Sequence, residues 1–335
     1  STLRLGNDLA GHHLCKDTGT GLLAKNASTG VDMNQPVTFK QWYQDGHYFV
    51  HHSHPIFYRL GGHGRPGETL LLIHGFPTSS WDWHRLWPRL SERFSTVIAA
   101  DLIGFGYSAK PRDYEYRIHD WADLQEHLLR ALGVTRYHIV AHNIGDNIAQ
   151  ELLARQQDLV EFKKPITAKI ESICLLNGGL FVEMQRPTLM HKLLNSRMGP
   201  MLSRLFTESR FNQAFSKVFG PHTKPSKDEL AEFWAQVTCN GGANIGHRLV
   251  GYIQEREEYR NRWVQALVQT QLPIRLIDGL ADQMSGAHMV DYYRQMVPRP
   301  DVVALPEIGH YPHVEAPAET LAAIEAFHDQ LAASR

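Results

Sequence analysis

The stretch from Val140 to Gly145 constrains the fold of this chain more than any other part of the sequence. The residues before it are predicted to form a short buried strand, and residues 144–154 carry apolar side chains at helical spacing. A strand that becomes a helix so abruptly needs small side chains on both sides of the apex, because strand and helix approach closely there. The apex residue, Asn143, is then held above the edge of the sheet, where a catalytic nucleophile is usually placed. An amide is a poor nucleophile, so the turn predicts a catalytic architecture without the usual catalytic atom.

The composition is that of a globular chain and restricts its partners. The 335 residues are 43% hydrophobic and 21% charged, with a net charge of −1. This balance argues against nucleic acid or an anionic membrane as a partner, and no stretch is long and apolar enough to span a bilayer. The widely spaced Cys15, Cys174 and Cys239 predict neither a disulfide framework nor a zinc site and favour a reducing, cytoplasmic location.

Strand and helix patterns alternate along most of the chain, which predicts a mainly parallel sheet covered by helices. Strands are predicted at residues 47–51, 55–60, 68–73, 95–100, 137–140, 168–176, 272–278 and 301–305, and helices at residues 80–90, 118–132, 144–154, 287–296 and 319–331. Between residues 180 and 266 the alternation of strands and helices stops, and only helical spacing is found. Two helices are predicted there, at residues 229–237 and 249–263. We therefore predict a core of residues 37–179 and 267–335, a helical cap of residues 180–266, and an N-terminal arm of residues 1–36 that is loosely ordered or lies along the core.

Two motifs suggest other kinds of site and are weaker. Residues 101–108 are glycine-rich and follow a strand, but they lack the third glycine of a dinucleotide fingerprint, and no helix follows directly. His51, His52 and His54 could bind a metal ion, but no carboxylate or cysteine completes a set of ligands in that stretch. The sequence therefore predicts no cofactor and no metal site.

The order of three loops predicts a catalytic set. Asn143, Asp282 and His310 each follow a predicted strand and occur in the order nucleophile, acid and histidine. The histidine would act as the base, and the acid would fix its tautomer. Asp278 is an alternative acid, although its place within a strand end suits a structural role, and His313 is an alternative base.

The loop after the third predicted strand, residues 74–77, is suited to stabilising an oxyanion. A backbone N–H group at this position can bind the negative charge that develops on oxygen when a carbonyl is attacked. We expect the N–H of Phe76 to be one donor and the N–H of Ile144, which follows the apex residue, to be the second.

Four motifs together resemble the epoxide hydrolase and haloalkane dehalogenase branch of the α/β-hydrolase superfamily. They are His74-Gly75-Phe76-Pro77, His142-X-Ile144-Gly145-Asp146, Gly279-Leu280-Ala281-Asp282 and residues 309–317, and the resemblance covers residues 40–330. It implies an α/β-hydrolase fold, with a mostly parallel eight-stranded sheet flanked by helices and a helical cap insertion. In that branch the residue at the apex is Asp, which forms a covalent alkyl-enzyme ester. We interpret Asn143 as a replacement of that Asp.

The resemblance also discriminates between substrates. Haloalkane dehalogenases of this pattern usually carry Asn and Trp where this chain has Phe76 and Ile144, and fluoroacetate dehalogenases carry Arg in place of Ile144. Epoxide hydrolases share the Phe-Pro form and add phenols in the cap that protonate the epoxide oxygen. Tyr252 falls where one of these phenols is expected. The resemblance therefore favours an epoxide over a halide or a fluorinated acid.

The remaining substrate contacts are less well defined. No Tyr occurs between residues 180 and 251, so His191 or His222 could replace the second phenol. Trp81 and His142 are also expected at the substrate. The favoured function is a low-activity epoxide hydrolase acting on a small apolar molecule, as a monomer or homodimer. A haloalkane dehalogenase, an ester or lactone hydrolase, and a pseudoenzyme that binds ligand without turnover stay open as alternatives.

Overall fold

The computed structural model describes residues 38–204 and 206–334. The N-terminal arm predicted for residues 1–36, together with Cys15, lies outside this range.

The centre of the molecule is one sheet of eight strands. They are β1 (His47–His51), β2 (His54–Gly61), β3 (Arg65–Ile73), β4 (Phe94–Ala100), β5 (Arg136–His142), β6 (Lys169–Leu176), β7 (Ile274–Gly279) and β8 (Asp301–Leu305). Their order across the sheet is β1-β2-β4-β3-β5-β6-β7-β8. Only the pairs β1–β2 and β2–β4 are antiparallel, and the other strands run parallel. The predicted fold class, a mostly parallel eight-stranded α/β-hydrolase sheet, is confirmed.

Helices cover the sheet and fill the long connection after β6. In the first part of the chain they are α1 (Phe39–Gln44), α2 (Trp87–Arg93), α3 (Ile118–Ala131) and α4 (Ile144–Glu161). Between β6 and β7 they are α5 (Leu189–Leu194), α6 (Gly199–Arg204), α7 (Glu208–Ser216), α8 (Lys227–Thr238), α9 (Gly246–Leu249), α10 (Tyr252–Glu258) and α11 (Arg260–Gln269). The last three are α12 (Ala287–Met296), α13 (Pro312–Glu315) and α14 (Pro317–Ala333). Among these described helices, none combines the length and apolar character needed to cross a membrane.

The central strands are buried because both faces of the sheet are covered. Residues 70–73 of β3 are fully buried, as their unbroken apolar run requires. The side chains of β3 alternate between two hydrophobic clusters, one on each face of the sheet. This packing holds the carboxyl ends of β3, β5, β7 and β8 along one edge, where the catalytic loops are expected.

Two predicted helices differ from the structure. The helix expected at residues 80–90 is a short 3₁₀ helix at residues 80–83, capped by Ser79, followed by α2. The Ser80 hydroxyl instead bonds Asp101 at 2.5 Å, and Pro88, which lacks an N–H, lies in the first turn of α2. The helix expected at residues 249–263 is divided into α9, α10 and α11. Its first break coincides with Gly251, a weak helix former.

Candidate active site

The structure brings Asn143, Asp282 and His310 into one hydrogen-bonded chain. Asn143 joins β5 to α4, Asp282 follows β7, and His310 follows β8. The Asn143 Nδ2 atom lies 2.9 Å from His310 Nε2, and His310 Nδ1 lies 2.7 Å from Asp282 Oδ2. All three side chains are buried, with Asn143 8% exposed. The three residues that the order of the loops predicted to come together are therefore hydrogen-bonded neighbours in the structure.

Asn143 occupies a strained turn. Its backbone has φ 55° and ψ −111°, outside the regions that most residues adopt, and asparagine is among the side chains that tolerate positive φ best. Close packing enforces the turn, because a Cβ on Gly145 would lie 2.5 Å from the Ile73 carbonyl oxygen. A Cβ on Gly75 would lie 2.6 Å from the Cβ of Asn143. The glycines thus allow the apex to approach the loop after β3.

Hydrogen bonds fix the tautomer of His310. The Asp282 carboxylate accepts the Nδ1–H of His310, so Nε2 carries a lone pair and accepts an N–H of the Asn143 amide. Burial alone would raise the pKa of Asp282, but the electrostatic interaction with His310 and hydrogen bonds from His310 and Ser285 outweigh it and lower that pKa. Asp282 is therefore held as a carboxylate. The orientation is that of a base whose acceptor nitrogen faces the apex residue.

The other end of the Asn143 amide contacts the loop after β3. The backbone N–H of Phe76 donates to Asn143 Oδ1 at 3.1 Å. Ile144 begins α4, so its N–H belongs to the group of unpaired donors at a helix N-terminus. The Asn143 carbonyl oxygen therefore already accepts a hydrogen bond from one of the two N–H groups that are expected to stabilise an oxyanion.

The alternative acid and base are buried elsewhere. Asp278 accepts a hydrogen bond from Asn177 at 3.3 Å, and burial raises its pKa well above the usual range. The ring of His313 stacks on Trp83 with 4.5 Å between centroids, and burial lowers its pKa. The Asn143 side chain instead hydrogen-bonds His310 Nε2 and the Phe76 N–H. The fold therefore favours Asp282 and His310 over them.

Two groups of side chains in the described residues have an arrangement that could hold a metal ion. Asp82, His142 and His313 lie together in the interior, and all three are fully buried. Burial raises the pKa of Asp82 and lowers the pKa values of both histidines, which favours uncharged forms of all three. The second group consists of His51 and His52, at the turn between β1 and β2, and Asp120, at the start of α3.

A cavity of about 790 Å³ opens above His310, between the sheet edge and the helices that follow β6. Its walls are mainly apolar, with Phe76 and Tyr311 from the core and aromatic and aliphatic side chains from α5, α7 and α9, including His191, Phe211, Phe215 and Leu249. This volume is in the range of small-molecule sites. A second concavity of about 900 Å³ lies beside α4 and α11 and contains none of the predicted catalytic residues.

Three expected substrate contacts do not line this cavity. Trp81 stacks on His84, with 4.0 Å between ring centroids. The Nε2 atom of His142 lies 2.8 Å from the carbonyl oxygen of His310, so His142 contacts the backbone of the His310 loop. Tyr252 is 2% exposed, and its ring lies 6.0 Å from that of Phe76. The structure places these side chains behind the walls of the cavity rather than on its surface.

His191 does line the cavity. Its ring lies 5.3 Å from that of Phe76. The Thr188 N–H donates to His191 Nδ1 at 3.3 Å, which assigns the proton of the neutral ring to Nε2. Burial lowers the pKa of His191 to about 4, so the neutral form persists at physiological pH. The Nε2 atom is buried and has no hydrogen-bond partner among the described residues, so its N–H is an unsatisfied donor in the cavity wall.

Several supporting residues were missed in the sequence. Asn177, at the end of β6, donates to Asp282 Oδ2 at 3.2 Å and accepts the Gly279 N–H at 2.8 Å. Glu315 accepts the N–H groups of Gly309 and Tyr311, both at 2.9 Å, and of Gly220 at 2.7 Å. An Asn at a strand end and a Glu after a histidine loop are common, so no sequence signal distinguishes them from surface residues.

Comparison with known proteins agrees with the observed fold. The family described as alpha/beta hydrolase fold matches residues 68–317. The mesoderm-specific transcript protein of Mus musculus is 40% identical over 294 residues, covering 85% of this chain and 86% of that protein. A putative hydrolase, LipZ of Mycobacterium tuberculosis, is 31% identical over 280 residues, covering 83% and 93%. The structure of the epoxide hydrolase CorEH matches with a TM-score of 0.68 at 20% identity, covering 85% of this chain and 99% of that chain.

Proposed function

Because this chain belongs to the α/β-hydrolase fold family, we propose that its cavity is that of an aspartate-nucleophile hydrolase for small apolar epoxides, with Asn143 replacing the nucleophile. One observation carries the proposal. The Asn143 amide spans the Phe76 N–H and His310 Nε2, at 3.1 and 2.9 Å, which are the two contacts that a nucleophilic carboxylate needs. The Asp282–His310 pair beside it is complete.

With Asp at position 143, this geometry supports a two-step hydrolysis. A carboxylate oxygen attacks an epoxide carbon, the carbon–oxygen bond of the ring breaks, and the departing oxygen is stabilised by a hydrogen-bond donor in the cavity and takes its proton from water. His310 then removes a proton from water, and the resulting hydroxide adds to the ester carbonyl. The carbonyl oxygen becomes an oxyanion beside the N–H groups of Phe76 and Ile144. Collapse releases a diol and restores the carboxylate.

Asn143 preserves the shape of this site but not its reactivity. The amide oxygen takes the place of one carboxylate oxygen, while the amide nitrogen has no usable lone pair because it is delocalised into the carbonyl. The amide N–H also occupies His310 Nε2, the atom that would activate water. We therefore infer that the protein binds substrate but forms the covalent ester slower by several orders of magnitude.

The donor in the cavity favours an epoxide among the possible electrophiles. Opening an epoxide places negative charge on an oxygen that stays attached to the substrate, so a hydrogen-bond donor opposite the apex lowers the barrier. The unpaired Nε2–H of His191 is suited to this part. A halide would need donors at residues 76 and 144, where the side chains are Phe and Ile.

A binding protein without turnover is the second candidate, and it also follows from the Asn143 amide. The Asn143 amide hydrogen-bonds both the Phe76 N–H and His310 Nε2, the two groups that would take part in the reaction. In the chain with Asn143, neither group is therefore free to act on a substrate. The apolar cavity would then retain a small ligand or its reaction precursor rather than transform it.

The two candidates differ in the behaviour of the Asn143→Asp variant. We expect freshly purified, mass-verified wild-type protein to bind epoxides without measurable turnover, and Asn143→Asp to hydrolyse them to diols. Aged wild-type protein should gain activity together with the mass increase of deamidation at this residue, since His310 could activate water toward the amide itself. Rapid turnover by the fresh wild-type protein would contradict the proposal. An Asn143→Asp variant that is inert to epoxides, haloalkanes and esters would favour the binding protein.

A further inference from the structure

The fold brings a carboxylate to the histidines of the β1–β2 hairpin. His51 ends β1, His52 begins the turn, and Asp120 lies in the first turn of α3, far along the chain. The Asp120 Oδ1 atom is 3.5 Å from His51 Nε2 and 3.4 Å from His52 Nδ1. From this convergence, we propose that His51, His52 and Asp120 form a binding site for a zinc-like transition-metal ion, separate from the hydrolase cavity. The carboxylate that was missing beside these histidines in the sequence comes from α3.

The distances between the ligand atoms already suit such an ion. Zinc binds nitrogen and carboxylate oxygen at about 2.0–2.2 Å in tetrahedral geometry, which places neighbouring ligand atoms roughly 3.3–3.6 Å apart. The two separations that involve Asp120 Oδ1 fall in this range. The third separation, between the two histidine nitrogens, is within 4.8 Å, so the side chains would close around an ion while the hairpin and α3 keep their positions.

Neighbouring side chains orient two of the three ligands. His51 Nδ1 lies 3.3 Å from His127 Nδ1, so its other ring nitrogen, Nε2, is left to face Asp120. Tyr114 donates its hydroxyl hydrogen to Asp120 Oδ2 at 2.6 Å, so Oδ1 remains available. Partners of this kind fix the tautomer and direction of metal ligands. They are difficult to explain by the chance contact of solvated side chains.

The surroundings of His51 Nε2 also support a bound ion at this site. His51 is 2% exposed, and within the described part of the chain the only polar partner of its Nε2 atom is the long contact with Asp120 Oδ1 at 3.5 Å. Buried polar nitrogens without a partner are costly, and an ion or an ordered water is the usual explanation. The side chain of His52 is 60% exposed, so an ion can reach the site from solvent.

The ligand set selects the class of ion. Two imidazoles and one carboxylate suit zinc, nickel or copper, whereas magnesium and calcium prefer oxygen ligands. Three protein ligands leave a coordination position for water. Because the ligands come from the hairpin and from α3, the ion would tie the antiparallel edge of the sheet to a core helix.

The test is a zinc titration of the metal-free, tag-free full chain, measured by calorimetry. His12, His13 and Cys15 could bind zinc independently, so the titration is done in a His12→Ala/His13→Ala background as well as in the wild type. We expect one equivalent of zinc to bind in that background. Binding should be lost in His52→Asn, which removes the imidazole but tolerates the φ of +45° at this position. His63→Ala, a change at an exposed histidine outside the site, should bind zinc as the parent does.

Cobalt spectroscopy gives a second readout. Cobalt(II) replacing zinc at a site with nitrogen and oxygen ligands should show visible absorption bands that disappear in Asp120→Asn, with the circular dichroism of the folded protein unchanged. No zinc binding in the His12→Ala/His13→Ala background, or equal binding by the parent and His52→Asn, would overturn the proposal. An intact site in His52→Asn that is lost only in His63→Ala would do the same.

Discussion

The covalent step proposed for this fold can be isolated with the double variant Asn143→Asp/His310→Gln. The first change supplies the nucleophile, and the second removes the base that activates water. Because His310 Nε2 contacts the apex residue and not the substrate carbon, ester formation should survive while ester hydrolysis stops. We expect the protein to accumulate one equivalent of alkyl ester when it is mixed with an epoxide.

The expected gain in the rate of ester formation follows from how much of the site is already in place. The acceptor position on the Phe76 N–H is occupied at 3.1 Å, and His310 is fixed by Asp282 at 2.7 Å, so only the reacting oxygen is absent. Removing one member of such a catalytic unit typically reduces the rate about 10⁴–10⁶-fold, or roughly 5–8 kcal/mol in activation free energy. Asn143→Asp should restore ester formation by a factor in this range.

The assay is rapid quench followed by intact-protein mass spectrometry and peptide mapping. The adduct should add the full mass of the epoxide and should map to the peptide that contains residue 143. Asn147→Asp is the matched control, because it makes the same chemical change one helical turn further along α4. An adduct that formed equally in Asn147→Asp, or one that mapped to another residue, would refute the assignment of the nucleophile position.

Three further changes test neighbouring parts of the structure. In the Asn143→Asp background, His191→Phe should reduce kcat for epoxides by about 10²-fold with a smaller effect on KM, as steady-state kinetics would show, because the donor is lost while apolar packing is kept. Gly145→Ala should lower the free energy of unfolding by at least about 1–3 kcal/mol in urea denaturation, since its Cβ would lie 2.5 Å from a carbonyl oxygen; an unchanged midpoint would contradict the packing argument. Burial lowers the pKa of His84 to about 4. Between pH 6.5 and 4 the unfolded chain therefore binds a proton at His84 that the folded chain does not, so the free energy of unfolding decreases as pH falls through this window. His84→Gln should therefore reduce the slope of unfolding free energy against pH in this window by about 1.4 kcal/mol per unit, and an unchanged slope would exclude a buried neutral imidazole.

Features with a local or periodic signal were predictable from the sequence. The buried run of β3 and the abrupt change from β5 to α4 are set by short-range patterns, and the fold they predict is confirmed. The order of the loops that carry Asn143, Asp282 and His310 predicted their approach, because parallel strands end along the same edge of a sheet. Their chemical roles stay predictions until the variants are measured.

Features that depend on contacts between distant segments were not predictable. Asp120 reaches the hairpin histidines only because α3 packs beside β1, and nothing near residue 120 identifies it as a partner. Trp81 was expected at the substrate, but its aromatic partner His84 and the burial of the loop place it behind the cavity wall. The helix breaks after β6 depend in the same way on tertiary packing, which outweighs propensity.

The hydrogen bonds of the Glu315 carboxylate restrict the route by which a ligand can enter the cavity. It accepts N–H groups from the His310 loop and from Gly220, which belongs to the segment joining α7 to α8, and the His310 N–H in turn donates to the Val218 carbonyl at 2.9 Å. Opening the cavity along this side would break several partly buried hydrogen bonds and displace His310. We expect this side to act as a hinge, so that ligand exchange proceeds by outward motion of α5 and α6, where large apolar side chains such as Leu189 and Met201 are already exposed.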